Sequence, residues 1–208
     1  MIRNIVFDLG NVLISFRPSE FLDKYNYPSS IKEKILADIF RSPEWKLLDD
    51  GKISTSRAIE IIAGKSTLKK AEIEHIFNDR TKIFHSIDSY TSMLPELKKQ
   101  GFKLYYISNF PADIFDKVKN SYDFFSNFNG GIISGDVKFS KPDPEIYQIF
   151  FNKFNLVPDE CFFIDDSEEN VKSAIETGMT GFCTFGSYEI SEELKEKLQY
   201  KLSGSVKK

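Results

Sequence analysis

The chain has 208 residues, 41% of them apolar and 14% aromatic, which is enough for a buried core and excludes a mainly disordered polypeptide. Its 28 Lys and Arg against 31 Asp and Glu leave a net charge of -3 with both signs interspersed, so no basic field exists for a nucleic-acid backbone and no polybasic run for a membrane surface. The length allows one large domain or a core carrying a smaller one, and a small molecule is the default partner.

In chain order, "NIVFD" (4–8) is a continuous apolar run that ends in a carboxylate. The run is too short for a leader and meets Asp8 at once, and no stretch approaches the ~20 apolar residues of a bilayer span, so a cytoplasmic location is expected. Residues 17–82 then carry helical patterns without a comparable strand, among them "SIKEKILADIF", "EWKLLDD" and "TSRAIEIIAG". An insertion of this length exceeds a simple crossover. It is expected to be a helical cap between a first core segment, 1–16, and a second, 83–202, with 203–208 as a flexible tail.

"SYTSMLPELKKQG" (89–101) predicts a helix closed by Gly101, followed by a strand, "KLYYISN" (103–109). A further strand is expected at "GGIIS" (130–134), then a helix with Asp143 as N-cap and Pro144 at its first position. "CFFIDD" (161–166) reads as a strand, and the helix after it has Asp166 and Glu169 spaced as a capping box and Gly178 as its stop. "GFCTF" (181–185) completes the set. Cys161 and Cys183 sit in apolar runs without metal-ligand spacing and read as buried thiols. Continuous apolar strands alternating with helices predict an α/β fold, a doubly wound, Rossmann-like and mostly parallel sheet with ligands at the C-terminal strand ends.

Taken singly, the polar residues at those ends have ordinary explanations as turn residues, helix caps or solvated lysines. Together they bring Asp8, Ser108 with Asn109, Lys141, and the pair Asp165 and Asp166 to one edge. Phosphoryl transfer uses such a set. A carboxylate can attack phosphorus and form an acyl phosphate, Mg²⁺ on oxygen ligands screens the repulsion, and a hydroxyl, backbone N–H groups and an ammonium hold the phosphate oxygens.

"FDLGNVL", "YYISN", "KPDPEIY" and "FFIDDSEENVKSA" resemble, in order, the four motifs of the haloacid dehalogenase-like (HAD) hydrolase superfamily, and the inserted helices resemble its C1-type cap. The resemblance spans about residues 3–186. It implies that Asp8 is the nucleophile, that Ser108, Asn109 and Lys141 bind phosphate, and that Mg²⁺ is held by Asp8, the Gly10 carbonyl and Asp166, with Asp165 acting through water or Lys141. "DLGNV" and "EWKLLDDGKIS" further resemble the subgroup containing bacterial α-glucose-1-phosphate phosphatase, which implies a small sugar phosphate or similar metabolite as substrate. Trp45 is the cap residue expected to face it, with cap core as its alternative reading.

The departure is Gly10, where the family pattern has a second aspartate that protonates the leaving oxygen and later activates water. Glycine keeps the carbonyl and loses the acid, a group typically contributing 10²–10⁴-fold. Asn11 can donate a hydrogen bond but cannot act as a base. The main alternative to a phosphatase is therefore a weakened phosphate-binding or interaction module. A 2-haloacid dehalogenase would not need the acidic pair. A phospho-receiver domain would place its acidic pair at the first strand. Either a monomer or a dimer is compatible with the sequence.

Overall fold

The computed structural model describes residues 1–198; the expected tail at 203–208 and the last residues of the second core segment lie outside the described residues. The chain opens with β1 (Asn4–Phe7) and β2 (Ile14–Phe16). Five helices follow in the inserted stretch: α1 (Pro18–Asp23), α2 (Ser29–Ile35), α3 (Pro43–Asp49), α4 (Thr55–Lys65) and α5 (Lys70–Asp79). A π-helical turn, Leu36–Phe40, extends α2, and a 3-10 turn, Arg80–Ile83, leads out to β3 (Phe84–Ser86).

The remainder runs α6 (Asp88–Thr91), α7 (Leu94–Lys99), β4 (Lys103–Ser108), α8 (Ala112–Lys119), β5 (Gly130–Ile133) and α9 (Ser134–Val137). It ends with α10 (Pro144–Phe154), β6 (Cys161–Asp165), α11 (Glu168–Glu176), β7 (Thr180–Cys183) and α12 (Glu192–Lys197).

Five strands form one parallel sheet in the order β5-β4-β1-β6-β7. Connections leave the central β1 toward β4 and β5, then return on its other side to β6 and β7. Such a reversal opens a crevice at the C-terminal strand ends. Successive residues of each strand are buried on opposite faces: Ile5, Phe7, Leu104 and Tyr106 join one apolar cluster, while Val6, Tyr105 and Ile107 join the other. Burial on both faces is why these strands read as unbroken apolar runs rather than alternating ones.

The helices between β2 and β3 bury an apolar cluster of their own, which includes Phe21, Ile39, Trp45, Ile62, Ile76 and Phe77. The chain enters and leaves this layer through the antiparallel pair β2 and β3, with Ile14 opposite Ser86 and Phe16 opposite Phe84. These three-residue strands are too short to leave a periodic signal in the sequence.

Three local expectations are corrected. The single helix expected at 89–101 is two, α6 and α7, with Met93 and Pro95 at the junction, although Gly101 does follow it in the left-handed region at φ +96°. The N-cap of α11 is Ser167, whose hydroxyl accepts from the Asn170 N–H, so Asp166 caps nothing and no Asp166–Glu169 capping box forms. Cys161 is buried, but Cys183 is only partly so.

Candidate active site

Most of the polar residues expected at the sheet edge are brought there by the ends of strands. Asp8 directly follows β1, and its N–H donates to the Ile164 carbonyl of β6 at 2.8 Å, so the ladder itself sets its position. Ser108 is the last residue of β4 and Asp165 the last of β6; both are fully buried. Lys141 arrives from the loop before α10, with its Nζ 2.8 Å from Asp8 Oδ1 and 2.6 Å from Asp165 Oδ2.

The side chain of Asn109 is engaged elsewhere than on a phosphate. Its Nδ2 donates to the Lys141 carbonyl at 2.9 Å, and its Oδ1 accepts from the Lys141 N–H at 2.8 Å. This reciprocal clasp fixes the main chain of Lys141. The amide side chain is thus committed to holding Lys141, and Asn109 lines the cavity alongside Ser108 and Lys141.

Burial opposes the charged form of every group here, and the partners decide the outcome. For Lys141 burial favours the neutral amine, but Asp165 and Asp8 outweigh it and its pKa is raised. The Asp8 carboxyl is pushed up to about 7 by burial, reinforced by Asp165 and Asp166 and opposed by Lys141. Burial and the charge of Asp165 also raise Asp166.

Asp8, Asp165 and Asp166 each bring a carboxylate oxygen to within 4.8 Å of the others. Three such oxygens repel one another, and an all-oxygen donor set of this kind suits a hard divalent cation. Their availability differs. Asp165 accepts from the Ser167 N–H at 2.8 Å and Asn170 Nδ2 at 3.0 Å through Oδ1, and from Lys141 through Oδ2. Among the described residues the Asp166 carboxylate accepts one side-chain hydrogen bond, from Asn11 Nδ2 at 3.2 Å, and it lines the open cavity. The bridge between Gly10 and Ile14 uses the Leu9 carbonyl and the Asn11 N–H, so it leaves the carbonyl of Gly10 itself free.

These groups open on a cavity of about 230 Å³. Its polar floor includes Asp8, Gly10, Ser108, Lys141 and Asp166, and its walls include the rings of Phe16, Trp45, Phe84 and Phe110. Trp45 lines the cavity and also packs on Phe40, with ring centroids 4.9 Å apart. Sequence reasoning missed Asp49, Asn170 and the other three rings. The available signal for Asp49 was its spacing from Trp45, four residues on one helix face. His75 packs edge-on against Tyr25, and neither it nor His85 lines the cavity.

The inserted helices are fastened over this edge by polar contacts. The Ser134 hydroxyl donates to the Asp49 carbonyl, and the Ser140 hydroxyl donates to the Asp50 carboxylate. On the other side the buried Arg80 reaches Asp113 of α8 at 2.5 Å.

A family model described as haloacid dehalogenase-like hydrolase matches residues 2–178. A sesquiterpene phosphatase of Aspergillus oryzae is 29% identical over 191 residues, covering 92% of this chain and 94% of that protein. A phosphorylated carbohydrates phosphatase of Thermotoga maritima is 22% identical over 180 residues, covering 84% and 81%. Among solved structures, the fold resembles a HAD family enzyme of Bacteroides thetaiotaomicron in complex with magnesium and inorganic phosphate, with a TM-score of 0.71 at 24% identity and coverage of 93% and 99%.

Proposed function

The chain belongs to the haloacid dehalogenase-like hydrolase family, and from that membership we propose that it is a Mg²⁺-dependent phosphomonoesterase acting through a phospho-Asp8 intermediate. The observation that carries this reading is Lys141 Nζ held between Asp8 and Asp165, 2.8 and 2.6 Å away, on the floor of a cavity that also exposes Ser108 and Asp166. A buried ammonium there neutralises part of the charge on a phosphate dianion while holding the attacking carboxylate in place.

The donor set fits Mg²⁺: Asp8, Asp166 and the Gly10 carbonyl would hold it, and Asp165, whose oxygens are already hydrogen-bonded, acts through Lys141 or a bridging water. When bound, the cation offsets the repulsion between the Asp8 carboxylate and the phosphate. Asp8 then attacks phosphorus as the ester oxygen departs, and Ser108 with nearby main-chain N–H groups orients the phosphoryl oxygens. Asn109 keeps Lys141 in register, and the inserted helices exclude bulk water. The three clustered carboxylates disfavour dehalogenation, which needs no cation.

The substrate is a small phosphorylated metabolite. Four aromatic rings on the cavity wall support an ester with an apolar body, the class named for the Aspergillus relative; such rings also pack on the C–H face of a sugar, the class named for the Thermotoga relative and anticipated from "DLGNV". An isoprenyl monophosphate and a hexose phosphate, assayed side by side with Mg²⁺ and with EDTA, decide between them. Mg²⁺-dependent phosphate release that disappears in Asp8→Asn supports the mechanism. Release that survives Asp8→Asn, or no release from any phosphate ester, overturns it.

A further inference from the structure

We propose that Asp49, a carboxylate carried by the inserted helices, performs the proton transfers that Gly10 cannot. The inference rests on the phosphomonoesterase reading and deepens it. Asp49 is the last residue of α3 and lines the same cavity as Asp8, Gly10 and Asp166. In an in-line displacement the departing oxygen lies on the far side of phosphorus from the attacking atom. With Asp8 at the sheet edge, that oxygen points toward the inserted helices, the layer that supplies Asp49.

The position of Asp49 is fixed while its carboxyl is left free. Its main-chain carbonyl accepts from Ser134, anchoring it to the core, yet among the described residues its side chain has neither a hydrogen bond nor an ion pair. The adjacent Asp50 is the opposite case. Its carboxylate accepts from Ser140 and lies 3.0 Å from Lys52 and 3.6 Å from Lys46.

These surroundings drive two neighbouring carboxyls apart. Burial raises both; the partners of Asp50 overcome that and hold it below the usual range, while Asp49 is pushed up to about 8 by burial and the charge of Asp50, against Lys46 and Arg80. The charged groups acting on Asp49 are therefore Asp50 and Lys46 from its own helix and Arg80 from the turn after α5, while Asp8, Lys141 and Asp166 line the same cavity. A carboxyl that keeps its proton at neutral pH beside one that loses it is the arrangement of a general acid.

The chemistry balances. An Asp8 oxygen forms a bond to phosphorus, the bond from phosphorus to the ester oxygen breaks with its electron pair on that oxygen, and the oxygen takes the Asp49 proton. The products are an alcohol, the Asp8 acyl phosphate and the Asp49 carboxylate. That carboxylate then accepts a proton from a water whose oxygen attacks phosphorus, releasing inorganic phosphate and the Asp8 carboxylate and restoring the Asp49 carboxyl.

The test compares wild type, Asp49→Asn, Asp49→Glu and Asp8→Asn on two esters with Mg²⁺: p-nitrophenyl phosphate, whose leaving group needs no proton, and a primary alkyl phosphate, whose leaving group does. Asp49→Asn is expected to lower kcat/KM, which reports formation of the acyl phosphate, about 10²-fold or more further on the alkyl ester than on the nitrophenyl ester, and to lower kcat on both, because hydrolysis of the acyl phosphate is common to them. The alkaline limb of the alkyl-ester pH profile should vanish with it, and Asp49→Glu should recover part of the rate. Equal losses in kcat/KM on both esters, or no loss on either, overturn the role of Asp49 and leave phosphomonoesterase activity standing. Activity surviving in Asp8→Asn, or absent from wild type, instead removes the underlying reading and this proposal with it. If circular dichroism shows that Asp49→Asn does not fold, the same comparison is made with Asp49→Glu and the wild-type pH profiles. An alkaline limb on the alkyl ester alone supports the proposal, and identical profiles on both esters overturn it.

Discussion

Asn11 Nδ2 donates to Asp166 Oδ2 across 3.2 Å, tying the loop after β1 to the carboxylate that follows β6. The same side chain accepts from the Phe16 N–H at 3.1 Å and from the Tyr188 hydroxyl at 3.3 Å, and its backbone sits in the left-handed region at φ +53°. Asn11 therefore fixes the loop and also aims a candidate metal ligand. Asn11→Ala should weaken Mg²⁺ binding about 10-fold or more, as loss of an outer-shell partner does, and should add ~1 kcal/mol of backbone strain. Asn11→Gly removes the hydrogen bond without the strain. Mg²⁺ titration followed by thermal melting separates the two effects, and wild-type affinity in both variants would refute the aiming role.

Lys141 neutralises two buried carboxylates at once, at 2.8 and 2.6 Å. Removing one partner of a buried ion pair leaves uncompensated charge and costs about 3–5 kcal/mol. Lys141→Met is expected to lose stability on that scale in EDTA at pH 8, and less at pH 5, where protonation of Asp8, pushed up to about 7 by burial, relieves the repulsion. Urea midpoints at the two pH values measure it. Phosphate release should be lost as well.

A Cβ built on Gly10 meets only Asp8 Oδ2, at 3.9 Å, an ordinary contact. Gly10→Asp should therefore be accommodated and restore an acid at the family position. If Asp49 already supplies the proton, Gly10→Asp changes wild-type kcat little but raises the alkyl-ester rate of Asp49→Asn about tenfold or more. A similar gain in both backgrounds would show that Asp49 contributes nothing.

The half-buried carboxyl of Asp49 should also leave a mark on stability. In the unfolded chain it releases its proton near 3.8, and in the folded protein near 8. Between those values the folded state binds more protons, so its contribution to stability falls as pH rises. Asp49→Asn removes this dependence. The variant should gain on wild type between pH 4 and pH 8, with Tm rising by about 2–4 °C for each kcal/mol recovered. Calorimetry in EDTA across that range checks it, and parallel pH profiles would contradict the burial argument.

Much of the fold was legible because its signals are local. Parallel strands covered on both faces leave unbroken apolar runs, so "NIVFD", "KLYYISN" and "CFFIDD" announced β1, β4 and β6, and with them the placement of Asp8, Ser108 and Asp165 at one edge. The pair β2 and β3 left no such signal, because three residues do not make a pattern. The capping box failed for a different reason. Asp166 had the right spacing, but its carboxylate is engaged with Asn11, 155 residues away in sequence, and Ser167 took the cap.

The sequence by itself thus determined the sheet and the carboxylates, hydroxyl and lysine delivered to its edge, because strand ends and side-chain chemistry are written in consecutive residues. Only the tertiary structure decided what each group is free to do. Asp49 and Asp50 are identical neighbours in the chain, yet Ser140, contributed by a distant segment, bonds the Asp50 carboxylate and helps hold its pKa low, while Ser134 engages the main chain of Asp49, whose carboxyl burial and the charge of Asp50 push up. Charge state depends on burial and on neighbours in space, and no local run of residues encodes either.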